Sequence, residues 1–463
     1  MQCSCRCAYH NKKVNPTPWV TALLDPKNWI KWANIYELNL VYNQQTRVLI
    51  STILCRVAIW YDHMLFIDLV NIISREFCSA KDVYYNILQL FGIAGLGAMV
   101  RPLGASIFGH IGDRYGRRVA LTIAILLTSI PSSLVAFIPG YSRVGVASTM
   151  LLLAIHLTQG IALGAEQGGS SVYLIEHLPN KKKLGMFFGV ISFGRSIGVL
   201  LSVAMVVICK KITDFNAWGW RIPFTFSAVL GLISAYSIYT LGETPAYEEN
   251  RKQRSLSNLP VIELIKHHKR ALTLAILISV PVNVAVGFTI FLRTIAKEIV
   301  SVETYVTTYI NEIVLIITSV LMPISSIAFG MLADKVGKER TAILFIVITM
   351  VLCCPMLSIA YHYKSYLIIM LSVMVLSIVE RGINPIGIVA SELFPTNVRF
   401  SGVSLSRNIS YALHGGFTPM ICTWFTITFP QINFATGLYI IFCLLVSLMA
   451  ILQIKPRDKN FDW

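Results

Sequence analysis

Long, nearly uncharged apolar runs recur along the chain, separated by short polar turns that are often basic. Each run reaches the about 20 residues that an α-helix needs to cross the hydrocarbon of a bilayer. The pattern predicts twelve helical spans, at 49–73, 86–110, 118–139, 147–175, 184–209 and 221–241, then 270–293, 309–333, 340–360, 366–390, 402–426 and 433–454. A membrane β-barrel would need alternating strands of about ten residues, and stretches such as 121–127 and 313–320 do not alternate. The prediction is an all-α membrane protein. An even number of crossings puts both ends of the chain on one side.

Composition agrees: 55% of the 463 residues are hydrophobic and 13% are charged, which excludes a soluble protein of this length. The net charge of +16 is distributed unevenly. Arg114, Arg117, Arg118, Lys181, Lys182, Lys183, Arg251, Lys252, Arg254, Lys335, Lys338 and Arg340 fall in loops on one side, which the positive-inside rule makes cytosolic. Both termini are therefore expected in the cytoplasm of a multi-pass protein of the cell (inner) membrane. No basic patch is interleaved with aromatics on a soluble surface, so nucleic acid is not an expected partner.

The domains expected are a cytosolic tail (1–48), a six-helix bundle (49–241), a central cytosolic loop (242–269), a second six-helix bundle (270–454) and a short tail (455–463). In the first tail no apolar segment precedes a cleavage site. Asp25-Pro26 reads as a helix start, and Trp29, Trp32, Ala33, Tyr36 and Leu40 follow at helical spacing, which suits an interfacial helix. The opening CSCRC lacks the paired C-x-x-C clusters of a zinc site. No metal or cofactor is expected.

One charged turn is written twice: GHIGDRYGRR at 109–118 and GMLADKVGKER at 330–340. Each copy joins the second and third spans of a half. Two similar six-helix halves about a pseudo-two-fold axis, with solute held mid-membrane between them, is a common transporter plan. Asp113 and Asp334 then sit where they can pair with basic groups or helix N-termini across the gap between the halves. Asp113, Arg114, Arg117, Arg118, Asp334 and Lys335 are the expected cytosolic gate.

At these turns the sequence resembles the major facilitator superfamily. Further matches are similar to its metabolite:proton symporter group, which includes proline/betaine and α-ketoglutarate transporters. They are WYD (60–62), RPLGASIFGHIGDRYGRR (101–118), QGIALGAEQGGSSVYLIEH (159–177), WGWRIPF (218–224), ETPAYEEN (243–250) and ELFPTNVRFSG (392–402). The resemblance implies alternating access, a small-molecule solute and protons as partners, and function as a monomer. It departs from the group in the first span. Osmolyte transporters resemble Asn-x-x-Glu-Trp-Phe-Asp there, whereas Arg56 and Ile59 stand in place of the asparagine and glutamate.

The motifs also have a physical reading. Trp218 and Trp220 are expected as headgroup anchors, with Pro223 opening a helix. Thr244 and Pro245 begin a cytosolic helix. Gly160, Gly164 and Gly168 are spaced for close helix approach. Ionisable groups inside a membrane persist mainly when paired or useful. The expected solute and proton pathway is Arg56, Ile59, Trp60, Asp62, Arg101, Glu166 and Arg195. Arg101 and Glu166 both lie roughly 13–15 Å from the cytosolic ends of their spans at a rise of 1.5 Å per residue, and are expected partners. Asp62 and Glu166 are the candidate proton carriers. On a helical wheel Asp62, Ile59, His63 and Arg56 share one arc.

No G-x-S-x-G elbow, H-E-x-x-H helix or P-loop occurs, so an enzyme or ATP-driven pump is not expected. By resemblance the solute would be a zwitterion such as proline or betaine. The arginines suggest an organic anion such as a dicarboxylate as the alternative. A membrane sensor that kept the fold without transport is the reading from another class.

Overall fold

The computed structural model describes residues 44–78, 83–177, 183–212, 214–253, 259–300, 305–363, 365–429, 431 and 434–455. The tail expected to carry an interfacial helix, and the CSCRC cluster, lie outside these residues apart from 44–48. The described chain is helical. Among these residues, ten helices are long and apolar enough to cross a membrane. Two further crossings are made by helices in two pieces, which completes the expected twelve.

In the amino half, α1 (Gln44–Asp68) is followed by the short α2 (Val70–Phe77). The second crossing is split into α3 (Val83–Met99) and α4 (Arg101–Arg114), with Pro102 in the first turn of α4 removing a backbone donor where the two meet. Then come α5 (Arg117–Leu134), α6 (Val146–His177), α7 (Leu184–Ile212) and α8 (Arg221–Leu241). The polar connection carries α9 (Pro245–Lys252) and α10 (Pro260–His267). Thr244 caps α9 as expected, its hydroxyl accepting from Tyr247 N at 3.3 Å.

The carboxy half repeats the order with α11 (Lys269–Val300), α12 (Tyr305–Val336) and α13 (Lys338–Tyr363). Its fourth crossing joins α14 (Tyr366–Glu380) to α15 (Ile386–Glu392) through a 3-10 turn at Arg381–Ile383. Its fifth joins α16 (Arg399–Ser410) to α17 (Thr418–Thr428) through a π turn at Tyr411–Gly415, and α18 (Ala435–Leu452) closes the bundle. Glycines let the helices of a half nearly touch. A Cβ on Gly104, Gly160 or Gly164 would run into the backbone of the facing helix, α6 against α3 and α4.

One expectation about the WGWRIPF segment is corrected. Trp218 is exposed, but Trp220 is 1% exposed, its indole edge-on to Phe77 and Phe224. The π turn at Phe215–Gly219 just before α8 puts two tryptophans of similar composition on different sides of the backbone. Arg221 then ties this end of the half together, pairing with Glu76 at 2.9 Å and donating to the carbonyls of Ala136 and Ile138.

Candidate functional site between the halves

The two repeated turns lie at the same end of the bundle, where each reaches the opposite half. The Asp113 carboxylate accepts from Phe400 N at 3.1 Å and Ser401 N at 2.8 Å, the first turn of α16. The Asp334 carboxylate accepts from Gly185 N at 2.7 Å and Met186 N at 2.8 Å, the first turn of α7. Each acid therefore satisfies orphan N–H groups and the positive end of a helix that belongs to the other half.

The glycines of the repeat have separate tasks. A Cβ on Gly109 would come within 2.8 Å of Ser401 Cα, and one on Gly330 would collide with the Gly185 carbonyl. Gly116 (φ 119) and Gly337 (φ 110) turn the chain in a conformation closed to most other residues. The shared Gly, Asp and Gly spacing is thus close approach, helix cap and turn.

Beneath this contact lies a buried charge cluster that the sequence reading missed. The Glu176 carboxylate, at the end of α6, accepts from Arg117 Nε at 3.1 Å, Arg399 Nη1 at 3.3 Å and the Thr244 hydroxyl at 2.7 Å. Arg117 also donates to the Thr396 carbonyl at 2.6 Å, so one guanidinium bonds both halves. Glu243 accepts from the backbone of Arg117 and Arg118, capping α5. In the carboxy half Lys338 pairs with Glu392, the same arrangement as Arg117 with Glu176. A signal was present: Glu176 and Glu392 stand at equal distances before Gly185 and Ser401 in the sequence. Of the remaining gate candidates, Arg114 and Lys335 are exposed, and Arg118 lies over the Tyr239 ring at 5.0 Å.

Deeper in the bundle, Glu166 pairs with Arg56 Nε at 3.4 Å, and Arg56 also donates to Ser170 at 3.1 Å. This corrects the expected Arg101–Glu166 pair. Gly164 packs directly on the Arg101 carbonyl and Ala105, and Glu166, two residues on, is rotated by about 200° away from that contact. Arg101 instead reaches across to the carboxy half, 4.2 Å over the Tyr411 ring. Arg407 of α16 donates to Ser171 at 3.4 Å, and Asn408 donates to the Gly164 carbonyl at 2.9 Å, both across the halves.

At the level of Trp60, Arg195 lies 4.0 Å over the indole. His63 meets the same indole edge-on at 5.5 Å. Glu380 and Arg381, which the sequence reading did not single out, are buried in the 3-10 break of the fourth carboxy-half crossing and pair at 3.3 Å.

The arc expected on α1 is divided. Arg56, Trp60 and His63 join this cluster, whereas Ile59 is 2% exposed in the largest apolar core. Asp62 faces α5, its Oδ2 accepting from Ser129 at 2.9 Å. Among the described residues no group of three or more His, Cys, Asp or Glu is placed to hold a metal.

Residues 52–419 match the family model of the Major Facilitator Superfamily, well over half of the chain. The chain belongs to the Major Facilitator Superfamily. It is thus a member of a transporter family, not an enzyme. Similar proteins include the inner membrane metabolite transport protein YhjE of Escherichia coli, 27% identical over 89% of this chain and 94% of the relative. The shikimate transporter of the same organism is 27% identical over 86% and 92%. The proline/betaine transporter of Salmonella typhimurium is 27% identical over 79% and 74%. Among solved structures, the proton:xylose symporter XylE bound to 6-bromo-6-deoxy-D-glucose superposes with a TM-score of 0.74 at 18% identity, covering 90% of this chain and 98% of that one. The last likeness is one of fold.

In this superfamily member the Asp113 contact carries its own pH dependence. Asp113 lies beyond the apolar span, in the last turn of α4, and burial pushes its pKa from 3.8 up to about 6 against the opposing pull of Arg117 and its hydrogen bonds. A carboxyl raised in the closed contact and ordinary when exposed means that closure takes up protons between about pH 4 and 6. The closed contact is therefore favoured below that window and loses stability as pH rises through it. Reagent access to cysteines placed at this end should increase from pH 4 to pH 6, and Asp113→Asn should flatten that increase. A slope unchanged by the substitution would assign it to another group.

Proposed function

We propose that the chain is a secondary active transporter that imports a small polar organic solute together with protons by alternating access. The repeated turns then face the cytosol with both termini, and the protein works as a monomer. The observation that carries this reading is the reciprocal capping at the turn end, where Asp113 caps α16 and Asp334 caps α7. Two carboxylates related by the internal repeat hold two helices of the opposite halves, and both contacts exist in only one of two rocking states. Such differential contacts are what an alternating-access cycle makes and breaks. Arg117, with Glu176 and the Thr396 carbonyl as partners, reinforces the same closed state.

Coupling is assigned to Asp62 and Glu166. Asp62 is 4% exposed with Oδ1 unbonded among its serines, and Glu166 is 2% exposed with Arg56 as partner. Both are acids whose charge is costly at that depth unless it is paired. The relatives are named for zwitterions and for other metabolites, which makes the solute's charge a property of this chain's own residues.

In proteoliposomes an inward proton gradient should drive accumulation that collapses with an uncoupler. Asp62→Asn or Glu166→Gln should abolish pH-driven accumulation, with at least one of the two still exchanging solute across the membrane, since exchange moves no net proton. Normal gradients in both variants would remove these acids from the coupling mechanism. No flux of any solute would support the sensor instead.

A further inference from the structure

Cations outnumber acids in the middle of the bundle. Arg101 is 7% exposed, its Nε has no acceptor, and no carboxylate among the described residues lies within ion-pair distance of Arg101 or Arg195. Both stack on aromatic faces, on Tyr411 and Trp60. Stacking stabilises the cation through the ring's electron density but leaves the guanidinium's in-plane N–H fork available. Arg381 has its own carboxylate in the adjoining Glu380. Uncompensated guanidiniums at this depth are costly, and a guanidinium fork without a carboxylate partner is suited to bidentate capture of one.

The same geometry disfavours a zwitterion. Its cationic end would need an aromatic face or a free carboxylate. The faces of Trp60 and Tyr411 are occupied by guanidiniums, the Tyr61 hydroxyl donates to the Pro223 carbonyl at 2.7 Å, and Asp62 is turned to Ser129. Glu166 and Glu380 are engaged by Arg56 and Arg381. We propose that the solute is a dicarboxylate, with one carboxylate held by Arg195 over Trp60 and the other by Arg101 over Tyr411 of the carboxy half. This assignment rests on the transport reading above.

Binding and transport separate the two readings. Succinate, α-ketoglutarate, proline and glycine betaine are titrated calorimetrically into the purified protein and offered, radiolabelled, to proteoliposomes under an inward proton gradient. The two dianions are expected to bind and accumulate. Arg195→Gln and Arg101→Gln should each weaken dianion binding by about 10- to 100-fold, as expected for loss of one charge-assisted pair, with Arg195→Lys recovering part of it. Both glutamine variants should unfold at or above the parent temperature without ligand, because an unneutralised buried cation has been removed; a structural arginine would lower it. Binding and uptake of proline or betaine with no response to either dianion would overturn the dicarboxylate while leaving transport intact. Dianion binding lost in the variants but without accumulation in the parent would support the anion site and overturn transport. Failure of all four solutes to bind would overturn the proposal.

Discussion

Glu176→Gln should destabilise the protein by about 3–5 kcal/mol, the cost of leaving a buried charge without its partner. Glu176 holds Arg117 and Arg399, and all three side chains are 0% exposed. Glutamine keeps the size and one acceptor but removes the charge that two guanidiniums share. Asp113, at 3.4 Å from Arg117, is then the remaining counter-charge in contact and is already committed to capping α16. Because Arg117 also bonds the Thr396 carbonyl, part of the loss falls on the contact between the halves. Thermal unfolding of the purified variant should drop by several degrees, and cysteines placed at the turn end should become more reactive. An unchanged unfolding temperature would mean that the cluster contributes little. By contrast Arg114→Gln, on an exposed residue of the same turn, should change stability by less than about 0.5 kcal/mol.

The second large effect is steric. Gly330→Ala should force the turn end apart, since its Cβ would overlap the Gly185 carbonyl and carbonyl carbon, which are backbone and cannot rotate away. Overpacking of this kind typically costs about 1–3 kcal/mol. Here it falls only on the state in which α12 and α7 touch, so it should shift the population toward the state open at this end by roughly 5- to 150-fold. Access of a membrane-impermeant thiol reagent to this end would report it, alongside a matching loss of uptake. Gly337→Ala supplies the comparison: nothing lies within 4 Å of its Cβ, but φ is +110. It should strain the turn and lower stability modestly without opening the halves. Equal accessibility in the two variants would show that the Gly330 contact does not seal this end.

The position and number of the crossings were readable because they depend on local composition. A run of about 20 apolar residues is favourable in hydrocarbon whatever its neighbours are. Even the crossings broken at Val100, Arg381 and Tyr411 were counted, though the breaks themselves were not seen. The partners of the charged groups were much less readable. Glu243 was overlooked beside Thr244 and Pro245, although it reaches back to cap α5 through the backbone of Arg117 and Arg118. Nothing in ETPAYEEN by itself says where that carboxylate points.

The sequence alone determined the membrane class, the twelve crossings, the internal duplication and the positions in GHIGDRYGRR and GMLADKVGKER that had to be special. Glycine and aspartate at fixed spacing are constraints on backbone conformation and capping, which are short-range. Only the tertiary structure decided which way each span is turned. Helices that are apolar on all sides carry no strong polar face to fix their rotation, so it is set by what packs against them. Gly164 seated on the Arg101 carbonyl turns Glu166 to Arg56; the π turn before α8 buries Trp220; and the stacking of Arg195 on Trp60 and Arg101 on Tyr411 takes up the aromatic faces that a cationic solute group would need. Side-chain partners chosen across the two halves are long-range, and no periodicity along the chain encodes them.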